Sequence, residues 1–234
     1  MCDKSIMVYV MVEGQTERNF VKELLVEYFS RLNIYLIPVL HGKPGMKGGN
    51  VRYEVMKRDV RNFLRQQPDI YIATMYDYFR IDPAWPGLQE ITKAISDGSV
   101  LSPYEKAEKI EKATFIEISD AFPENNSSER FIPYFSMHEF EALLFSDSRK
   151  LAKAIDVDVK ILDQYVLKYD TPEHINDDPE YAPSKLLNKL TGQRFRKTTY
   201  GIKIAKFIGL DCMRMRCSIF NKWIKKLESL PGLQ

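Results

Sequence analysis

Seven apolar residues, Ile6-Met7-Val8-Tyr9-Val10-Met11-Val12, follow one another without a polar break and stop at Glu13-Gly14. A run this rich in β-branched residues, with no polar alternation, has no face to give to water. It predicts a strand buried on both sides, as in a parallel sheet covered by helices. From Thr16 the spacing turns helical, with Phe20, Val21, Leu24, Leu25, Tyr28 and Phe29 at three- and four-residue intervals and Thr16 placed to cap the first turn. Ile34 to Leu40 then reads as a second strand, Val51 to Leu64 as a second helix and Ile70 to Tyr76 as a third strand. The β-α-β-α-β order predicts an α/β fold, a mostly parallel, Rossmann-like sheet flanked by helices, with its sites at the carboxyl ends of the strands.

Beyond Asp77 the pattern loosens. Pro83, Pro86, Gly87, Gly98 and Pro103 punctuate weak helical stretches, and Tyr104 to Ala113 is a charged helix, so the stretch at about 80–130 is expected as a surface insertion. Phe131 to Met137 resumes an apolar run, the expected fourth strand, ahead of Glu139. Residues 1–155 are therefore read as an α/β core. Residues 156–234 are read as a helical, basic C-terminal region, interrupted by an acidic loop from Asp170 to Glu180 and able to pack as one domain with the core. With 234 residues the chain can bury a full core without staples, and Cys2, Cys212 and Cys217 make neither a disulfide framework nor a zinc motif. No apolar run approaches a membrane span and no signal-like core precedes a cleavage site, so a cytoplasmic protein is expected.

The net charge of +2 conceals a separation. Between Lys185 and Lys226 there are twelve basic residues and one acidic residue, Asp211, while the rest of the chain carries 22 basic and 31 acidic residues. A segment of this kind is the usual footprint of a surface that meets a polyanion, although a basic helix can also pack against an acidic neighbour. Arg194, Arg196, Lys197, Arg214 and Arg216 are its candidate nucleic-acid contacts. Lys43 and Lys47, in the glycine-rich stretch His41 to Asn50, are two more, because such a loop brings backbone N–H groups close to phosphates. That stretch lacks the spacing of a P-loop, and an ordinary surface loop is the better reading of it taken alone.

The acids fall at strand ends. Glu13 closes the first strand, Glu17 lies in the first turn of the helix behind it, Asp77 closes the third strand, and Glu139 and Glu141 follow the fourth. In a parallel sheet these ends share one edge, where several carboxylates repel unless a cation sits among them. Oxygen donors of this kind suit Mg²⁺ or Mn²⁺, which bind through a few carboxylates and substrate phosphates. Taken singly, each acid reads as a solvated residue favouring a helix dipole. Glu139 and Glu141 point the same way only in extended backbone and diverge by about 160° on an α-helix. His138 beside them is a possible ligand or a buried, hydrogen-bonded residue.

Val12-Glu13-Gly14-Gln15-Thr16-Glu17-Arg18, Tyr76-Asp77-Tyr78-Phe79 and Pro133-Tyr134 through His138-Glu139-Phe140-Glu141-Ala142-Leu143-Leu144-Phe145 resemble the signatures of a bacterial family, domain-of-unknown-function family 4276. Gly201-Ile202-Lys203-Ile204-Ala205, Ile208-Gly209-Leu210 and Phe220-Asn221-Lys222-Trp223 resemble that family's ending. The resemblance implies a TOPRIM-like core related to the nuclease part of the overcoming-lysogenization-defect (OLD) proteins. It also implies a gene neighbourhood shared with an AAA-type ATPase in phage-defence loci. Through it, Glu13 matches the TOPRIM glutamate, Glu17 the second acid of an E-x-x-x-[DE] form, and Asp77 the first aspartate of D-x-D, whose second aspartate is here Phe79. Glu139 and Glu141 would replace the missing ligand, and Lys197 would steady the scissile phosphate or leaving oxygen, or simply attract backbone phosphates.

The expectation is a Mg²⁺- or Mn²⁺-dependent nuclease acting on DNA rather than RNA, with an AAA-type ATPase partner. Two alternatives stand beside it. One is a TOPRIM-like module without catalysis, serving as a regulatory or nucleic-acid-binding subunit. The other is a scaffold whose basic region docks on an acidic partner.

Overall fold

A computed structural model describes residues 5–41, 51–79, 81–175 and 182–231. The strands β1 (Ile6–Val12), β2 (Ile34–Leu40) and β3 (Ile70–Asp77) lie in the order β2-β1-β3, all parallel, with Val12 level with Leu40 on one side and Met75 on the other. The chain leaves β1 to one side to form β2 and returns on the other side to form β3. The switch in strand order therefore falls between the carboxyl ends of β1 and β3, the crevice where sheets of this type place their sites. The fourth position holds two short strands instead of one. β4 (Phe131–Ile132) and β5 (Phe135–Ser136) both pair with β3, separated by Pro133, which cannot donate to a ladder.

Alternate residues of each central strand feed opposite cores. Val8, Val10, Val12, Ala73 and Met75 join one cluster, while Met11, Ile70, Ile72 and Tyr76 join the other. The first cluster is covered by α1 (Gln15–Phe20), continued through a π-helical turn at Val21–Leu25 into α2 (Val26–Ser30), and by the C-terminal helices. α3 (Tyr53–Gln66), α4 (Leu88–Ser96) and α5 (Pro103–Ala121) cover the second. The stretch at about 80–130 is thus built into the fold rather than laid on its surface. Trp85, Ile91, Ile110 and Ile118 are buried there, and the Trp85 indole N–H donates to Thr114 Oγ1 at 2.9 Å. Thr16 does not cap α1; Gly14 holds the N-cap position without a side-chain bond and Thr16 is buried in the first turn.

α6 (Ser127–Arg130) ends at a buried arginine whose guanidinium donates to the carbonyls of Ile70, Leu64, Asn125 and Gln67, tying β3 to the end of α3. A 3₁₀ segment, Phe140–Ser146, leads into α7 (Ser148–Ile155), α8 (Val159–Val166) and α9 (Pro183–Leu190). A π-helical turn at Lys197–Gly201 then opens α10 (Ile202–Ile208), followed by α11 (Leu210–Arg216) and α12 (Ser218–Glu228). Residues from β1 to Leu230 share the first core cluster, so the C-terminal helices and the sheet bury the same apolar surface. Among the described residues no helix is long and apolar enough to cross a membrane.

Candidate functional site

The ends of β1 and β3 bring the sequence-selected acids together. The Asp77 backbone N–H donates to Glu13 Oε2 over 3.4 Å, joining the two strand ends directly. Glu17 is turned back toward Gly14, where a Cβ would stand 3.0 Å from Glu17 Oε2, so a glycine there makes room for the carboxylate. Glu139 precedes the 3₁₀ segment in extended conformation and Glu141 lies within it. That combination resolves the i, i+2 geometry: both reach Lys197 Nζ, at 3.3 and 3.2 Å.

The electrostatics report convergence. Burial raises Asp77 well above the usual carboxylate range, and the negative fields of Glu17, Glu13, Glu141 and Glu139 push the same way. Burial also raises Glu17, with Glu139 adding, against the pull of its own backbone N–H, Lys197 and the Gly14 N–H. Glu141, 1% exposed, is raised by burial to about 7 despite Lys197. Glu139 goes the other way: burial pushes it up, but Ser184 and Lys197 outweigh burial, and the Ser184 N–H donates to Glu139 Oε2 at 3.1 Å. Lys197 is raised because Glu141 and Glu139 overcome its own desolvation.

Lys197 is held in place by packing. Phe195 is buried, and a Cβ on Gly201 would come within 3.3 Å of Phe195 and 3.7 Å of Phe140, so the turn sits tightly against the residue between the two glutamates. Asn19 Nδ2 donates to the Thr198 carbonyl at 3.0 Å, linking the turn to the helix that carries Glu17. Ser184 and Asn19 have no motif that would have marked them in the sequence.

Lys197 thus pairs with Glu139 and Glu141 and its field reaches Glu17, while Glu13 and Asp77 meet at the strand ends. Among the described residues no three carboxylate, His or Cys side chains are gathered tightly enough to form a finished metal centre. The donor set nonetheless fits a hard divalent cation. Glu141 Oε1 is buried with Lys197 at ion-pair distance but off the hydrogen-bonding direction, and burial raises Asp77, Glu17 and Glu141, with neighbouring carboxylates adding to it, so a cation among them would be welcome. Phe79, where the second aspartate of D-x-D would stand, is 37% exposed. His138 is buried beside the acids.

Beside the acids, a relay escaped the sequence reading. His41 Nδ1 lies 3.0 Å from Asp59 Oδ2, and His41 Nε2 meets the hydroxyl of fully buried Tyr76, the neighbour of Asp77. Burial lowers the imidazole pKa against the pull of Asp59. In the sequence His41 only opens a glycine-rich stretch, and nothing in the spacing joins residues 41, 59 and 76.

The basic region divides. Arg194, Arg196 and Arg216 are exposed. Arg214 is not part of that surface: its guanidinium donates to Glu228 Oε1 and Oε2 at 2.5 and 2.9 Å, to the Tyr28 hydroxyl at 2.7 Å and to Asn221 Oδ1 at 3.0 Å. Lys206 pairs with Glu23, Lys222 with Glu108 and Lys226 with Glu111, so part of the charge separation is cancelled between neighbouring helices. Lys43 and Lys47 lie outside the described residues.

A family model described as "Domain of unknown function (DUF4276)" matches residues 12–228. The chain belongs to this family. The match takes in all five acids and Lys197, from the end of β1 to the last turn of α12. No curated protein matches the chain. Two solved structures of the C-terminal region of the Xanthomonas campestris pv. campestris OLD protein are similar to it. One, phased with iodine, has 17% identity and a TM-score of 0.41 over 94% of this chain and 96% of that one. The other, phased with platinum, has 15% identity and a TM-score of 0.38 over 94% of each.

Proposed function

We propose that this DUF4276 protein is a divalent-metal-dependent nuclease acting on DNA, in which Glu13, Glu17 and Asp77, with Glu139 or Glu141, hold Mg²⁺ or Mn²⁺. The observation that carries this reading is the gathering of five carboxylates around the β1/β3 crevice, close enough that Glu13, Glu17, Glu139 and Glu141 all act on buried Asp77. When bound, the metal would supply Lewis-acid polarisation of a phosphate and an activated water. The chain's own residues do the rest. Glu13 and Asp77 are set by strand ends and by the bond between them, so their positions follow from the sheet and not from a loop. Lys197, 45% exposed and anchored by Phe195 and Gly201, presents its ammonium to an incoming phosphate and can exchange its carboxylate partners for it. Arg194, Arg196 and Arg216 hold the strand backbone without reading bases, so binding weakens steeply with salt. The reading includes an AAA-type ATPase partner and a role in phage defence inside the cell, both on the strength of the family resemblance.

A second reading, a non-catalytic module, is favoured by one observation: Lys197 already bridges Glu139 and Glu141, as a structural ion cluster would. Nicking of supercoiled plasmid with Mg²⁺ or Mn²⁺, in the presence of the neighbouring ATPase, separates the two. Wild type converts plasmid to the nicked form, and Glu13→Gln and Asp77→Asn reduce the rate by about 100-fold or more. Equal silence, or equal rates, rejects the nuclease.

A further inference from the structure

The turn that carries Lys197 runs on into α10, and the next stretch of that helix exposes a different chemistry. Tyr200, Lys203 and Phe207 recur at three- and four-residue spacing and form one stripe. α7 faces the stripe with Lys153, whose Nζ stands 5.9 Å from the centre of the Phe207 ring. With Ala154 and Ile204 these residues line a shallow cavity of about 290 Å³. The Tyr200 hydroxyl donates to the Ala154 carbonyl and so fixes the floor between the two helices. Phe207 is 46% exposed although Ile204, Ala205 and Ile208 around it are buried, so its ring contributes little to the core. Lys153 and Lys203 are exposed, and among the described residues neither has a carboxylate partner.

A half-exposed aromatic ring flanked by two unneutralised ammonium groups, with Lys153 over one face at 5.9 Å, is matched by a flat π-surface carried between two phosphates that can draw the lysines aside. We infer that Phe207 is a stacking platform for an unpaired base, with Lys153 and Lys203 on the flanking phosphates, so that the substrate strand is single-stranded or frayed where it approaches the acids. The inference rests on the nucleic-acid reading above and specifies which form of strand it takes. A duplex has its base faces already stacked and can use only the lysines, whereas a single strand can use both the charge and the ring. From Lys197 to Phe207 the helix advances by about 15 Å, a length that a few nucleotides of strand cover.

The test is fluorescence anisotropy of a labelled single-stranded oligonucleotide and of its duplex, with Ca²⁺ in place of Mg²⁺ to avoid turnover, using the whole chain. Phe207→Ala is expected to weaken single-strand binding about 10-fold and duplex binding less than about two-fold. Phe207→Trp restores single-strand binding, and replacing Lys153 and Lys203 by Gln lowers the salt slope for both forms by up to about two. Thermal melting of Phe207→Ala confirms the fold. Single-strand binding by Phe207→Ala equal to wild type overturns this inference and leaves the nuclease reading standing. Wild type that binds neither form overturns both and leaves the ring for a protein partner.

Discussion

Replacing Lys197 by Met isolates the charge that holds the acid cluster together. Its ammonium lies 3.2 and 3.3 Å from Glu141 and Glu139, where an effective dielectric of about 20 gives roughly 5 kcal/mol of raw attraction per contact. Because the lysine side chain is 45% exposed, screening leaves a net loss on substitution of about 1–2 kcal/mol. The sign with pH follows from Glu141. Its folded pKa is raised to about 7, so below that value the carboxyl is neutral and gains little from Lys197. Above it the carboxylate is charged and needs the ammonium. The destabilisation should therefore be full near pH 8 and shrink toward pH 5.5, without vanishing, because Glu139 is held ionised to lower pH. Removing a cation that competes for the same oxygens should also tighten Mn²⁺ binding by about 10-fold, so that saturating metal restores stability by mass action. Urea denaturation at the two pH values, with and without Mn²⁺, measures all of this. If the variant matches wild type near pH 8 and Mn²⁺ shifts both equally, Lys197 does not neutralise these acids and the electrostatic reasoning is wrong.

Arg130→Met removes four guanidinium hydrogen bonds, those to Ile70 and Leu64 buried and those to Asn125 and Gln67 partly so, and should cost roughly 2–4 kcal/mol in chemical denaturation; a loss below about 1 kcal/mol would mean that water replaces the guanidinium. Glu173 is buried, accepts the backbone N–H groups of Ile219 and Phe220 at the start of α12, and is raised to about 7 by burial. Its unfolded carboxyl ionises first as pH rises, so wild type should lose on the order of 3 kcal/mol between about pH 4.5 and 7, a slope that Glu173→Gln flattens in pH-dependent melts. Arg214→Leu should cost about 1–3 kcal/mol of stability and leave the salt slope of DNA binding unchanged, whereas Arg196→Gln should lower that slope by about one with no change in melting.

Much of the architecture was legible because it is local. β1 and β2 have the predicted bounds because the apolar runs are continuous, but burial on both faces holds only toward the end of β1; Met7 and Tyr35 are exposed, and in β2, at the sheet edge, only Ile34 and Leu36 are buried. The expected fourth strand is two because a run of apolar residues looks the same whether or not Pro133 interrupts its ladder. The buried role of α5 was hidden by its Glu and Lys, which lie mostly on the outer side while Ala107, Ile110, Thr114 and Ile118 point inward together with Glu111, buried against Lys226. Convergence of Glu13, Glu17 and Asp77 followed from strand ends. Glu139 and Glu141 depended on whether a strand or a helix held them, and the 3₁₀ segment is neither. Arg214 shows the limit of counting charge: its partners Tyr28 and Glu228 are 186 and 14 residues away, and no basic run reveals which of its members are already paired.

The central claim is that the strand-end carboxylates form a divalent cation site, and Mn²⁺ binding followed by electron paramagnetic resonance tests it most directly. Wild type should bind Mn²⁺ at one or two sites, Mg²⁺ should displace it, and Asp77→Asn should weaken binding by about 10-fold or more with the fold intact by circular dichroism. Wild type that leaves all Mn²⁺ free in solution, or Asp77→Asn that binds it as wild type does, would contradict the account.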